Sequence, residues 1–488
     1  MNFGKNLYKS MLAFMAIPVV ITGSFFAFPM KEVKAEVIDY QAEAENRKLL
    51  PVQSNETEGW PEGPSIGAQG AILMDADSGA ILYAKNIHEQ LYPASVTKIL
   101  TTLIATENCD LNEVVTFSHD AVFSIPYNSS NIAIDEGEEL TVDQCLQAIL
   151  IASANEVSNA LGEHIAGSME GFADMMNARA KELGCQDSHF VTVNGLHDDN
   201  HYTSAYDLAL IGRYFFANEL LCKYASTSKL HLAPTDKQPD DIVAWCKNDM
   251  LPGRTYAYEH LVAGKTGYTD SSRQTLVSCA EKDGMRLICV ILKEESPHQF
   301  TDTIDLFNYG FGNFQKVNVS EAETRFNINN AEFFYSNNDI FGNSQPILSI
   351  NNENTVILPK TADFSETESV ISYDDPEEGT VGTITYTYHG TFVGKATIDL
   401  AHENVVSYEF DGEMTEQQQE AAAENKEENI IFVNVKMILL CVVGIAGGII
   451  FVIILPAFIR NYQFGEGIKP RRKNRRGHRR RRGSGLRF

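Results

Sequence analysis

Apolar residues change their spacing several times along the chain, and each spacing predicts a different kind of element. Residues 11–28 form a nearly unbroken apolar run, preceded by Lys5 and Lys9 and followed by the small-residue site Val33-Lys34-Ala35. That layout predicts a secretory signal peptide over residues 1–35, cut after Ala35. Residues 36–65 are polar, acidic and punctuated by Pro and Gly, which predicts a polar leader. From 66 to 312 two periods are mixed. Short apolar runs at 71–74 and 80–83 flank Asp75-Ala76-Asp77-Ser78-Gly79, and runs at 274–279 and 285–292 flank Lys282-Asp283-Gly284; both pairs predict hairpins. Between them lies helical spacing: Ile99, Leu100, Leu103 and Ile104; then Leu146, Ile149 and Leu150 behind the cap residue Thr141; then residues 172–183. Strands at both ends with helices between predict an α+β fold, in which the two ends complete one antiparallel sheet beside a helical lobe.

Helical spacing fades from 313 to 410. Residues 383–389 and 391–398 alternate instead, with turns at Gly379 and Gly390, which predicts a separate small all-β domain. Residues 411–436 are rich in Glu and Gln and form an acidic stalk. Residues 437–459 are 23 uncharged residues, long enough to span a bilayer as one helix. The tail, 460–488, carries 12 Lys or Arg against the single acid Glu466, which places it on the cytoplasmic side. The expectation is a single-pass cell-membrane protein with its bulk outside the cell. Gly444 and Gly448 make a Gly-x-x-x-Gly in the span, so a homodimer through this helix stands as an alternative to a lone anchor.

The candidate chemistry lies in three short motifs: Ser95-Val96-Thr97-Lys98, Ser153-Ala154-Asn155 and Lys265-Thr266-Gly267. A lysine three residues after a serine shares its helix face, so its amine reaches the hydroxyl. A serine needs such a neighbour, because a free hydroxyl is a poor nucleophile at neutral pH. Each motif alone is weak, and an isolated Ser-x-x-Lys is usually a solvated helix face. The chain carries its own near-copies: Ser226-Thr227-Ser228-Lys229, Ser129-Ser130-Asn131, Ser349-Ile350-Asn351 and Lys360-Thr361-Ala362. Context separates the set. Pro93-Ala94 leads into Ser95 and an apolar helix follows Lys98, which puts Ser95 at a helix N-terminus where developing negative charge is favoured.

Charge and cysteine content narrow the partners. Residues 36–459 hold 23 basic and 63 acidic side chains, a net of −40, which excludes nucleic acid as the ligand of the external part. The Arg-rich tail carries no interleaved aromatics and reads as a grip on anionic lipid headgroups. Seven cysteines outside the span are irregularly spaced without a Cys-x-x-Cys, so neither a disulfide framework nor a zinc site is expected. His197 and His201 are four apart, but Gly195 and an Asp-Asp-Asn run mark a loop, so no metal is expected there.

In their order and context the motifs resemble those of the penicillin-recognising serine enzymes. The nearer resemblance is to the low-molecular-weight penicillin-binding proteins, the D-alanyl-D-alanine carboxypeptidases. It extends to Asn194-Gly195-Leu196, Asn200-His201-Tyr202 and Ala263-Gly264-Lys265-Thr266-Gly267-Tyr268-Thr269-Asp270, strongly over 66–312 and weakly over 313–410. The resemblance implies a β-lactamase/transpeptidase-like domain. Its substrate would be a peptidoglycan stem peptide ending in D-Ala-D-Ala, its inhibitors β-lactam antibiotics, and it would need no cofactor. It implies Ser95 as nucleophile, Lys98 as base, Ser153 as proton relay and Asn155 as a hold on lysine and substrate. Lys265 and Thr266 would take the substrate carboxylate. The N–H groups of Ser95 and of Tyr268, the residue after Gly267, would form the oxyanion hole. Glu156 stands where many members have Asp, and Lys247 and Arg254 are both candidates for a further carboxylate-binding cation. A β-lactamase or a transpeptidase would share the site, and a catalytically silent wall-binding scaffold is the alternative from another class.

Overall fold

A computed structural model describes residues 38–325, 348–374 and 380–400. The expected signal peptide, stalk, membrane helix with its dimer face, and basic tail lie outside these residues. Among the described residues no helix is long and apolar enough to cross a membrane.

The first predicted hairpin is β1 (Gly70–Asp75) with β2 (Ile81–Lys85). Two short pairs follow within the helical part, β3 (Val114–Thr116) with β4 (Glu139–Thr141) and β5 (Lys229–Leu232) with β6 (Ile242–Trp245). Three long strands come last: β7 (Leu261–Thr269), β8 (Arg273–Lys282) and β9 (Met285–Glu294). They join the first hairpin in one antiparallel sheet of order β2-β1-β9-β8-β7. The closing register pairs Ile72 with Val290 and Leu73 with Cys289. The ends of this region therefore do meet in one sheet, because β1 and β9 are apolar on both faces and need a partner on each edge.

Each face of the sheet has its own core. On one side Ile72, Met74, Val277, Ile288 and Val290 pack against the helical lobe, including Lys98–Asn108, Asn155–Ala166, Met169–Glu182 and Ala205–Ala217. On the other, Leu73, Leu82, Leu287 and Ile291 pack against Phe300, Leu306 and Phe307 of the helix His298–Asn313.

Two expectations change. Residues 38–65 are not a loose leader. Tyr40–Arg47 is a helix capped by Asp39, and Trp60 is buried in the second core with its Nε1 donating to Leu82 O at 2.8 Å. The segment has few apolar residues; Ala44 and Trp60 are buried, while Ile38 and Leu49 stay exposed. Nor do the later strands stand apart. β10 (Phe314–Asn318) pairs with β12 (Thr355–Pro359), and β11 (Leu348–Ile350), β13 (Glu368–Ser372), β14 (Thr380–Tyr388) and β15 (Thr391–Leu400) form a sheet of order β11-β15-β14-β13. Ile384, Tyr386, Tyr388 and Val393 join the second core, where the Trp60 ring lies 5.0 Å from Phe314 and 6.4 Å from Tyr388. Alternation in a sequence reveals a one-sided strand but not what its apolar side will meet.

Candidate active site

Ser95 lies in a 3₁₀ turn, Ala94–Thr97, that opens into the helix Lys98–Asn108. Ala94 has φ 52°, a left-handed conformation that costs a non-glycine residue about 1–2 kcal/mol. The loop bearing Asn194 and Gly195 closes over this turn. A Cβ on Gly195 would stand 2.0 Å from Ala94 O, so only glycine allows that approach.

Lys98 is fully buried. Its Nζ lies 3.1 Å from Ser95 Oγ, 2.7 Å from Asn155 Oδ1 and 2.5 Å from Asn194 O. Two of these are fixed acceptors. A neutral amine has two N–H bonds and one lone pair, so donating to Asn155 and Asn194 turns the lone pair toward the Ser95 hydroxyl. Burial drives the Lys98 pKa well below its ordinary value, and the positive charges of Lys265 and Lys247 add to the effect against the opposing charge of Glu156.

Thr141 caps the helix Val142–Gln147 with a reciprocal bond to Gln144, and a π-helical turn, Ala148–Ala152, follows. Wide turns of this kind re-aim the residue that ends them. Here that residue is Ser153, at φ 61°. Its Oγ accepts from Lys265 Nζ at 3.0 Å, and the same amine donates to Thr266 O at 2.7 Å. Lys265 is buried on β7, and desolvation brings its pKa down to about 8 against an upward pull from Cys246, with the Lys247 charge adding a smaller downward one. Asn155 opens the helix Asn155–Ala166, its N–H donating to Ser130 O at 2.9 Å.

Gly267 brings β7 against the Ser95 amide, for a Cβ there would stand 2.9 Å from Ser95 N and 2.4 Å from Thr275 Oγ1. The turn is tied to β8 by Thr275 Oγ1 donating to Pro93 O at 2.8 Å. A cleft of about 410 Å³ opens here, lined by Ser95, Ser153, Asn155, Thr266, Gly267 and Tyr268, with the two lysines behind them. All eight candidate residues thus gather at one place.

Other residues join them. Ser129 and Ser130, from the Ser-x-Asn dismissed as a chance copy, line the cleft. Ser130 Oγ accepts from Lys247 Nζ at 3.0 Å, and Lys247 lines the cleft as well. Arg254 instead donates to Cys246 O at 3.1 Å and is not among the cleft's lining residues, so Lys247 is the candidate in position. Glu156 is buried, its Oε1 accepting from Ile132 N at 2.6 Å, which pins the loop that carries Ser130. His201 Nδ1 accepts from Val191 N at 3.0 Å and Thr192 N at 3.1 Å, which leaves Nε2–H to donate to Thr97 Oγ1 at 2.9 Å. Burial pushes the His201 pKa down to about 3, so it buttresses the first motif as a neutral ring. Two of the near-copies serve helix ends: Ser226 Oγ donates to Lys223 O at 3.1 Å, and Lys360 Nζ donates to Phe311 O at 2.9 Å and Gly312 O at 3.0 Å.

Comparison with known proteins points the same way. The profile of a family described as D-alanyl-D-alanine carboxypeptidase matches residues 57–296. D-alanyl-D-alanine carboxypeptidase DacF of Bacillus subtilis (strain 168) is 35% identical over 280 residues, covering 53% of this chain and 69% of the relative. DacC of Escherichia coli (strain K12), of the same description, is 27% identical over 368 residues, covering 72% of this chain and 87% of the relative. Among solved structures, penicillin binding protein 5 from Haemophilus influenzae matches with a TM-score of 0.56 at 25% identity, over 70% of this chain and 98% of that one. Penicillin binding protein 6B from Escherichia coli matches with a TM-score of 0.52, also at 25% identity and over the same shares. The β-lactamase/transpeptidase-like α+β fold expected from the motifs is the fold these structures share with it. With its motifs gathered in one cleft of that fold, and with relatives of this closeness, the chain belongs to the D-alanyl-D-alanine carboxypeptidase family of serine penicillin-binding proteins.

Proposed function

We propose that this chain removes the terminal D-alanine from peptidoglycan stem pentapeptides through an acyl-enzyme on Ser95, and that β-lactams block it by acylating the same serine. The observation that carries the reading is the buried Lys98 amine 3.1 Å from Ser95 Oγ, held by two further acceptors.

Lys265, assisted by Lys247 at the cleft wall, supplies positive charge for the terminal carboxylate. Ser95 Oγ attacks the penultimate D-alanine carbonyl while neutral Lys98 takes its proton. The tetrahedral oxyanion is met by the N–H groups of Ser95 and Tyr268. Ser153 passes a proton to the departing amine and is replenished by the one Lys98 took, the C–N bond breaks, and D-alanine leaves. Water then attacks the ester, giving a proton to neutral Lys98; the carbonyl–Oγ bond breaks, and that proton passes to Ser95. Supporting the tether is the apolar stretch 437–459 before a basic tail, which suits a cell-membrane protein with its catalytic part outside and its tail in the cytoplasm.

The test is D-alanine release from a soluble pentapeptide ending in D-Ala-D-Ala, with full-length wild type beside Ser95→Ala. Release by wild type alone supports the reading. Equal release by both removes Ser95 from the mechanism. Release only when an amine acceptor is added makes the chain a transpeptidase. Rapid turnover of penicillin makes it a β-lactamase. Protease protection of a tag on residue 488 in intact cells tests the orientation.

A further inference from the structure

The helix Tyr40–Arg47 is fixed at one end and applied to the cleft wall at the other. Arg47, at its C-terminal end, is buried; its Nε donates to Gly67 O at 2.7 Å and its carbonyl accepts from Lys85 Nζ at 2.8 Å. At the N-terminal end the Tyr40 ring lies under the Arg273 guanidinium, 3.8 Å from ring centre to carbon. Arg273 makes a two-pronged pair with Glu295, Nε to Oε1 at 2.8 Å and Nη2 to Oε2 at 2.7 Å, and its Nη1 donates to Tyr268 OH at 3.3 Å. The Tyr268 OH in turn donates to Asp270 Oδ1 at 3.0 Å.

This group stands where the cleft is built. Arg273 opens β8 and Glu295 follows β9, each one residue from a side chain that lines the cleft, Gln274 and Ser296. Tyr268 lines it too, and is the residue after Gly267 on β7. A guanidinium that is both forked to a carboxylate and stacked on a ring has a single orientation, because its plane and its donors are fixed together. The Glu295 side chain is 4% exposed and that of Arg273 15%, so the pair is largely out of water, with the Tyr40 ring on one guanidinium face.

We infer that Tyr40 is a positioning residue for acylation: its ring holds the Arg273–Glu295 pair, the pair holds Tyr268, and Tyr268 thereby keeps its backbone N–H beside that of Ser95. The inference rests on the acyl-enzyme reading above. It makes residues 38–47 part of the catalytic apparatus, although none of them lines the cleft.

The test is the acylation of full-length protein by a fluorescent penicillin, followed as first-order rate constant against penicillin concentration. Tyr40→Leu keeps bulk and removes the ring face. It is expected to lower the saturating rate constant by about 3- to 10-fold and leave the half-saturating concentration within about twofold, the pattern of a group that matters in the transition state. Tyr40→Phe restores the wild-type rate, because the ring and not the hydroxyl faces the guanidinium. Leu49→Ala, on the same segment at an 84% exposed position, matches wild type. A wild-type rate in Tyr40→Leu overturns the inference. So does an equal loss in Tyr40→Phe, or a change confined to the half-saturating concentration. Wild type that takes no label would overturn the acyl-enzyme reading itself and the inference with it. Thermal midpoints of all variants separate a lost fold from a lost position.

Discussion

Two regions of this molecule each bury a lysine, and the two lysines do opposite work. Lys85, at the junction of residues 38–67 with β2, is fully buried and donates to Arg47 O at 2.8 Å and Ile66 O at 2.6 Å. Lys98, at the cleft, is buried as completely. Desolvation lowers both pKa values, that of Lys85 to about 8. The neighbours differ in sign. Around Lys85 the carboxylates of Glu294 and Asp302 favour the charged amine, so it serves as a cationic tie between segments. Around Lys98 the strongest neighbouring charge is the cation Lys265, and a serine hydroxyl waits at 3.1 Å. Burial lowers the pKa of a lysine; the sign of what surrounds it suits it to act as a base or as a tie.

The largest contrast is expected from removing each amine in turn. Lys98→Met should cut acylation of Ser95 by ~10³-fold at equal folded amounts, within the range for a lost general base. Lys85→Met should cost acylation per folded molecule less than tenfold, which labelling of equal folded amounts would check. Its own penalty is stability. Two buried carbonyls lose their donor, which is worth about 2–4 kcal/mol and lowers the midpoint by several degrees in calorimetry. Equal acylation losses in the two variants would break the comparison.

A finer probe is Lys247→Gln. A base works only when neutral, so acylation rises with pH through the lowered Lys98 pKa. Removing one of the positive charges that lower it moves that rise to higher pH, seen as a shift of the acid limb of the pH–rate profile. An unmoved limb would take Lys247 out of the electrostatics of the site. Least in size is Glu294→Gln at the Lys85 junction. Burial and the neighbouring Asp302 hold the Glu294 pKa above its ordinary value of 4.5. A raised carboxyl contributes stability that is fully present below 4.5 and is lost as pH climbs through the raised pKa, because the folded state then holds a proton the unfolded state has released. The wild-type midpoint should therefore lose this contribution as pH rises, and the glutamine variant should show a flatter dependence than wild type.

Much of the site was readable in advance because its parts are local. The three-residue spacing of Ser95 and Lys98 needs only a helical turn, and Thr141 with Gln144 announces the helix that delivers Ser153. The apolar hairpins 71–83 and 274–292 carry their own turn residues. Ser130 was not readable. As a string, Ser129-Ser130-Asn131 is as weak as Ser349-Ile350-Asn351, and hydrogen bonds from Asn155 N–H and from Lys247, 117 residues further on, give it a role. Arg254 and Lys247 were likewise equivalent on paper until the chain placed one at the cleft and turned the other to a backbone carbonyl. Residues 38–65 look like a polar leader by composition, yet Arg47, Trp60 and Tyr40 dock on Gly67, on Leu82 of β2 and on Arg273 of β8.

By itself the sequence determined the two hairpins of the sheet, the helices that follow Lys98 and Thr141 and the one over residues 172–183, the serine–lysine pair, and the family. Hydrophobic period, caps and motif spacing all act within a few residues, and a chain carries such information along its length. Tertiary structure alone decided that Ser130 meets Lys247, that the Asn194 carbonyl joins Asn155 in holding Lys98, and which buried lysine has a cation as its strongest charged neighbour. Those outcomes depend on distances of a few ångströms through a low-dielectric interior, where charge and burial act between residues far apart in the chain.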